Sequence, residues 1–219
     1  MPFEDDARPV TSDADYSRPA AKFRGDWSAH IATTLDRLTQ LLAQLSDEQW
    51  HAPSLCDQWT VRDVVGHLVW RLGSSNFELL RTGVGSGMST MLNANSAIAN
   101  IAMHEAERPI SELIEKLNEI ATDKLAGHGR TDLIELTEAV VHAYDISEAL
   151  EQPLRLSPRS TGLVALARQR TRARGTKITR ERSLRATDAA WQIGRGPALD
   201  ATAAQIIGHL FGRTQLPQN

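Results

Sequence analysis

The chain has 219 residues, which suffice for one sizeable hydrophobic core or for a main domain with a small companion. Aromatic residues make up only 5% of the sequence, and the aliphatic residues favour helices over a sandwich or barrel. The formal charge of −3 gives no overall reason to expect nucleic acid or an anionic membrane as a partner.

Cysteine use and hydropathy indicate the compartment in which the protein works. A single cysteine, Cys56, excludes an internal disulfide framework and fits a reducing cytosol. The chain opens without an apolar targeting run, and no stretch is long enough to cross a bilayer. We therefore expect a cytoplasmic protein without membrane attachment, either a monomer or a homodimer.

Changes of composition divide the chain into three predicted regions. Residues 1–24 are polar and interrupted by prolines, so they predict a flexible tail. Residues 25–152 carry helical periodicity and predict a bundle of helices. Residues 153–219 mix an Arg-rich helical stretch with a strand pattern and predict a small α+β domain.

Periodicity and capping signals place the helices. The first starts at Asp26 and has one apolar face, and the second starts at Thr60, whose side chain can form a capping box with Asp63. His67 lies close to the apolar face of this second helix. The later predicted helices span Met88–Met103, Ile110–Leu125 and about 131–150.

The pattern changes after Pro153, which stops the last of these helices. An Arg-rich helical stretch is predicted over 163–175 and a single strand over 184–194. A turn at 194–197 and a last helix from near Asp200 complete the predicted C-terminal region.

Two predicted helices carry residues suited to hold one metal ion. Glu138 and His142 are four residues apart, so they project from the same face of a helix and can bind one ion together. His67, on a different helix, is the best candidate for a third ligand. Two imidazoles and one carboxylate leave a coordination position open, which is the pattern of a catalytic zinc site.

Two structural alternatives compete with the metal hypothesis. Glu and His four residues apart occur by chance on exposed helix faces, and a lone histidine on an apolar face is often a hydrogen-bonded core residue. All three candidates, however, stand among Val and Leu residues, where an unpaired carboxylate or imidazole would be costly to bury. Metal coordination would remove that cost.

Three separated segments resemble the mycothiol-dependent maleylpyruvate isomerase family, whose first domain is a DinB-like four-helix bundle. The segments are SLCDQWTVRDVVGHL, LTEAVVHAYDI and RATDAAWQIGRGPALDATAAQIIGHLFGR, and the resemblance extends from about Phe23 to Arg213. It implies a mainly α protein in which a DinB-like bundle precedes a small α+β domain. One departure is that the family often has Pro-Gly where this chain has Asp57 and Gln58.

The resemblance also implies a chemistry. Carried over by position, the ligands of a zinc or other divalent ion are His67, Glu138 and His142, the same three residues that the spacing selects. The ion activates the thiol of mycothiol, which acts on a small electrophile such as maleylpyruvate by cis–trans isomerisation or by S-transfer. The resemblance further implies that a C-terminal arginine, Arg213, holds a carboxylate as a catalytic residue.

Two residues near the candidate ligands keep alternative interpretations. Asp145 could orient His142 by accepting its second ring N–H, or it could be a solvated helix charge. Cys56 precedes a helix N-terminus, where a thiol pKa falls and a redox or nucleophilic role becomes possible in principle, but we interpret it as a small buried hydrophobic residue packed near Trp59.

Three functional hypotheses follow from the sequence. The first is the metal- and thiol-dependent isomerase or S-transferase. The second is a non-catalytic metal-binding or small-ligand-binding protein of the same fold. The third, a nucleic-acid-associated protein, rests on the run from Arg168 to Arg174, which lacks the interleaved aromatic residues of a stacking platform, so we expect no nucleic acid partner.

Overall fold

A computed structural model describes residues 25–75, 100–170 and 175–216. The predicted N-terminal tail and most of the predicted helix Met88–Met103 lie outside these ranges. In the described ranges the helices are α1 Ser28–Leu42, α2 Asp47–His51, α3 Val61–Gly73, α4 Ile110–Leu125, α5 Leu133–Ala149, α6 Pro158–Arg170, α7 Gly175–Glu181 and α8 Ala203–Leu210, and residues 100–106 are also helical. The strands are β1 Ser183–Ala186, β2 Gln192–Gly194 and β3 Ala198–Ala201.

Contacts divide the described residues into two compact units. One comprises residues 26–155, and the other comprises residues 156–216 with Gly25. The predicted mainly helical class with a small α+β region at the C-terminal end is therefore confirmed. The predicted domain limits at residues 24 and 152 stay a prediction. Among the described helices, none has the length and the continuous apolar character that crossing a bilayer requires.

Among the described helices of the first unit, α1, α3, α4 and α5 pack together as a bundle. Helix α1 packs against α4 and α5, and α3 packs against the same two helices. Apolar residues three or four apart on each helix fill the space between them because that spacing places them on one face. Fully buried examples are Ile31, Leu35, Leu38, Val64, Val65, Leu68, Leu113, Leu117, Leu136 and Val140.

Helix α3 begins where the capping signal predicts. The Thr60 hydroxyl accepts a hydrogen bond from the backbone N–H of Asp63, and the Asp63 carboxylate accepts one from the backbone N–H of Thr60. These two bonds satisfy amides that the first turn of a helix leaves free. The capping box thus fixes the start of the helix that carries His67.

A tight turn precedes that cap. The backbone N–H of Trp59 donates to the carbonyl of Cys56 at 3.0 Å, and Gln58, the third residue of the turn, has φ 67°. A positive φ costs a non-glycine residue about 1–2 kcal/mol. Pro followed by Gly is the preferred centre of a turn with this backbone. Asp57 and Gln58 therefore form the kind of turn that the Pro-Gly pair of the family would favour, although their own residue types favour it less.

The second unit contains a three-stranded sheet in the order β2-β1-β3. Strand β1 pairs antiparallel with β2 and parallel with β3, and Leu184 lies opposite Ile193 on one side and Leu199 on the other. The indole N–H of Trp191 donates to the Thr161 hydroxyl of α6 at 2.9 Å. Sheet and helix are therefore joined by a buried polar contact as well as by apolar packing.

The predicted single strand over 184–194 is wrong. Residues 187–190 leave the sheet between β1 and β2, and Asp188 accepts a hydrogen bond from the backbone N–H of Ala203 at 2.7 Å. The predicted helix start near Asp200 is also early, because Ala198–Ala201 is a strand and Thr202 caps α8. The strand Ala198–Ala201 and the helix cap Thr202 follow each other directly, and the short apolar pattern of the sequence does not show where the strand ends and the helix begins.

Gly66 permits a close approach between helices in the bundle. A Cβ atom at this position would lie 2.5 Å from the carbonyl oxygen of Ala102 and 2.7 Å from the backbone nitrogen of Ala106. Backbone atoms on a packed helix cannot move aside cheaply. Gly66 is thus required for α3 to lie against residues 100–106.

We expect Gly66→Ala to lower the free energy of unfolding by about 1–3 kcal/mol, the usual cost of overpacking a core. Urea denaturation followed by circular dichroism measures it. The matched control is Gly73→Ala on the same helix, where the added methyl group meets only the flexible end of Ile120 at 3.1 Å. Equal effects of the two substitutions would contradict this explanation.

Candidate metal centre

The bundle brings the three predicted ligands together. His67 on α3 faces Glu138 and His142 on α5, and one carboxylate oxygen, Glu138 Oε2, lies 3.3 Å from His67 Nε2 and 3.4 Å from His142 Nε2. One ligand atom from each residue can be chosen so that all lie within 4.8 Å of one another. Their role as ligands stays a prediction.

The two imidazoles are buried and the carboxylate is the most exposed of the three groups. His67 and His142 are 6% and 8% exposed, whereas the Glu138 side chain retains 27% of its exposure. The ring of Trp59 lies 5.1 Å from the ring of His67 and 6.4 Å from that of His142, and Trp70 is 5.9 Å from His67. Aromatic rings therefore shield the histidine side of the cluster, and solvent reaches it beside Glu138.

The two histidines differ in how the protein holds their second ring nitrogen. His142 Nδ1 forms a buried hydrogen bond of 2.9 Å with Asp145 Oδ2. A ligating histidine usually has such an acceptor, which fixes its tautomer and ring orientation, so this contact supports the orienting role considered for Asp145. In the described part of the chain, His67 Nδ1 is buried without a hydrogen-bond partner.

Burial and the shared carboxylate set the protonation of the cluster without a metal. Burial lowers the pKa of His142, but its hydrogen bonds to Asp145 and Glu138 outweigh burial and raise that pKa to about 9. Burial raises the pKa of Glu138, yet hydrogen bonds from the two imidazoles bring it well below its usual range. Burial lowers the pKa of His67. The metal-free cluster is therefore an imidazolium at His142, a carboxylate at Glu138 and a neutral His67.

The donor set also fits a divalent ion. Two nitrogen or oxygen donors at 2.0–2.1 Å from a tetrahedral ion lie about 3.3–3.4 Å apart. The distances from Glu138 Oε2 to His67 Nε2 and His142 Nε2 are 3.3 Å and 3.4 Å. Imidazole and carboxylate donors suit zinc and also nickel, cobalt or iron. The separations of the carboxylate oxygen from both imidazole nitrogens thus match this spacing, and the donor types suit such an ion.

A second donor set shares His142. The sulfur of Cys56 and a carboxylate oxygen of Asp145 lie with a His142 ring nitrogen inside the same 4.8 Å limit. Asp145 already bonds His142 Nδ1, and this bond leaves Nε2 directed at Glu138. We therefore take the set of His67, Glu138 and His142 as the candidate site.

The sequence interpretation missed a charged cluster next to Glu138. Glu135 is fully buried and lies 2.7 Å from Arg71, 3.3 Å from Arg130 and 3.7 Å from Lys124. Arg71 also approaches Glu138, with 3.9 Å between Arg71 Nε and Glu138 Oε1. Helical spacing was an available signal, because Arg71 follows His67 by four positions and Glu135 precedes Glu138 by three.

Arg213, the predicted catalytic arginine, belongs to the C-terminal unit. It follows α8, and its backbone N–H donates to the carbonyl of Gly208 at 2.7 Å. It is not one of the residues that the bundle brings together.

A bundle of helices that gathers two imidazoles and one carboxylate is a candidate metal-binding helical domain. Residues 31–134 match the family described as the mycothiol maleylpyruvate isomerase N-terminal domain. The resemblance seen in the sequence motifs is thereby confirmed. The matched range includes His67 and ends before Glu138.

Solved structures show a similarity over most of the chain. A crystal structure of a mycothiol-dependent maleylpyruvate isomerase is 12% identical, covers 91% of both chains and aligns with a TM-score of 0.47. A mutant of a mycothiol-dependent maleylpyruvate isomerase is 11% identical, with the same coverage and TM-score. No curated protein sequence matches the chain.

We expect NMR titration of the metal-free protein to show His142 losing its proton near pH 9 and His67 below its ordinary value. The raised pKa means that charged His142 contributes stability that is fully present below about pH 6.5 and is lost as the pH rises through about 9. Asp145→Asn should lower the His142 pKa. The control Asp123→Asn, beside exposed His128, should leave it unchanged. A His142 that titrates near 6.5 would contradict this account.

Proposed function

We propose that this protein is a metal-dependent enzyme that uses a low-molecular-weight thiol, mycothiol. The thiol either isomerises maleylpyruvate-like substrates or is itself transferred, through its sulfur, to small electrophiles. The observation that supports it best is the single Glu138 oxygen at 3.3 Å and 3.4 Å from two buried imidazole nitrogens. His67, one of these ligands, lies inside the segment that matches the mycothiol maleylpyruvate isomerase domain.

The proposed ligands are His67, Glu138 and His142. A divalent ion held there, zinc by preference, would favour the thiolate form of a bound thiol. The residues of the chain prepare the site for this ion. Asp145 holds the His142 ring so that Nε2 faces Glu138, and Trp59 shields both imidazoles from water.

The protonation of His142 makes metal binding depend on pH. A metal ligand must be a neutral imidazole, so the proton that His142 carries in the metal-free state has to leave when an ion binds. The carboxylate of Glu138 then loses one positive neighbour and gains another. Metal uptake should therefore become more favourable as the pH rises toward 9.

The substrate chemistry follows from the thiolate. Its sulfur adds to one carbon of an activated cis double bond, and the electron pair moves toward the substrate carbonyl. Rotation about the resulting single bond and elimination of the same thiolate give the trans isomer, so no atom is gained or lost. S-transfer begins with the same addition, but the carbon–sulfur bond is kept and the enolate formed by the addition takes up a proton from solvent.

Arg213 completes the proposal as the residue that holds a substrate or thiol carboxylate. A guanidinium matches a carboxylate through two parallel hydrogen bonds, which a lysine cannot reproduce. This role rests on the family resemblance of the segment that contains Arg213.

The metal hypothesis predicts about one equivalent of divalent metal in protein purified without a metal-binding tag, by analogy with catalytic sites of three protein ligands. His67→Ala and Glu138→Ala should each abolish it. His104→Ala and Glu107→Ala are matched controls, because these residues form an exposed pair with 3.3 Å between His104 Nδ1 and Glu107 Oε2. Mass spectrometry measures the metal. A parent protein that neither contains nor takes up zinc would refute the proposed site.

The activity hypothesis predicts that the metal-loaded protein converts maleylpyruvate to fumarylpyruvate only when mycothiol is present. Arg213→Ala should lower kcat/KM about 10- to 100-fold, the usual loss when a hydrogen bond to a charged group is removed. Its metal content should not change. Arg195→Ala, an exposed arginine of the same unit, is the control. Bound metal without turnover of any offered electrophile would favour a non-catalytic binding protein.

A further inference from the structure

We propose that Arg71 is a positioning residue that restricts Glu138 to a single ligating oxygen. The inference rests on the metal site of the proposed function and assigns a role to a residue outside the ligand set. The two carboxylate oxygens of Glu138 have different neighbours. Oε2 faces both imidazoles, whereas Oε1 lies 3.9 Å from Arg71 Nε.

Arg71 spans two carboxylates that lie one helical turn apart on α5. Its terminal NH1 donates to Glu135 Oε1 at 2.7 Å, and its Nε faces Glu138 Oε1. Only a guanidinium has donors spaced widely enough to face both groups at once. Arg71 therefore couples the position of Glu138 to that of the buried Glu135.

Glu135 provides a rigid attachment for this guanidinium. Its carboxylate is fully buried and also pairs with Arg130 and Lys124. Lys124 Nζ donates to the Arg130 carbonyl at 2.7 Å, and Arg130 donates to the Arg71 carbonyl. Each of these ion pairs is largely buried, and breaking one by removing a partner is strongly unfavourable. The cluster holds the Arg71 side chain in one place.

The way Glu138 binds would determine how many coordination positions of the ion remain open for the thiol. A carboxylate that uses one oxygen occupies one position, whereas a carboxylate that binds through both oxygens occupies two. Because Arg71 faces Oε1, rotation of Glu138 toward two-oxygen binding would break that contact. Arg71 thus preserves the open position on which the proposed function depends.

Orientation and charge make opposite predictions for Arg71. As a cation, Arg71 repels a metal ion, so a purely electrostatic role predicts tighter metal binding when it is removed. As a positioning residue, it predicts weaker binding by about 10- to 100-fold, the usual effect of losing a group that orients a ligand. Arg71→Lys separates the two roles because it keeps the charge and loses the guanidinium geometry.

The test uses Co²⁺ as the probe, titrated into the metal-free protein and its Arg71→Lys and Arg71→Met variants. We expect both variants to bind cobalt about 10- to 100-fold more weakly. The cobalt absorption bands should also change in intensity, because their strength reports coordination number. Arg108→Met is the matched control, since it removes a cation of the same unit whose ion pairs, with Glu105 and Glu112, include neither Glu135 nor Glu138. It should leave the cobalt spectrum and affinity close to those of the parent.

Each other outcome overturns either the positioning role or the metal site. Unchanged or tighter cobalt binding in the Arg71 variants, or equal losses in Arg71→Lys and Arg108→Met, would refute the positioning role while the metal site stands. A parent protein that binds no cobalt would refute the metal site itself, and with it both proposals. Urea denaturation of every variant verifies that a loss of cobalt binding is not a loss of folding.

Discussion

One oxygen of Glu138 is the atom on which the site depends. It lies within 3.4 Å of a nitrogen from each of two imidazoles, which come from two different helices of the bundle. A carboxylate in this position is stable only beside positive charge, whether that charge is a proton on His142 or a divalent ion. The packing of α3 against α5 therefore places a charged group where a cation has to be present.

The surroundings of this oxygen distribute positive charge on both sides of Glu138. His142 lies on one side, anchored by Asp145, and Arg71 lies on the other, anchored by Glu135. Both anchors are almost completely buried carboxylates on α5. A single helix thus supplies two of the candidate ligands and both acids that anchor their neighbours.

Much of this arrangement could be predicted from the sequence, and the reasons for the failures are physical. The capping box at Thr60 is a local signal and is confirmed, and Glu138 and His142 lie side by side as their spacing predicts, whereas their role as ligands stays a prediction. Helical spacing places Arg71 beside His67 and Glu135 beside Glu138, but the contact between Arg71 and Glu135 joins residues 64 positions apart and also requires α3 to pack against α5. In the C-terminal unit, Asp188 and β3 depend on contacts across the sheet that short apolar runs do not encode.

The turn at Gln58 has a consequence for observing the site. The turn places the Trp59 ring centroid 5.1 Å from that of His67 and 6.4 Å from that of His142. An indole beside an imidazolium loses fluorescence to the charged ring, so departure of a proton or arrival of an ion changes its emission. The protein consequently carries its own optical reporter, and the difference in emission between the parent and Trp59→Phe isolates it from the other four tryptophans.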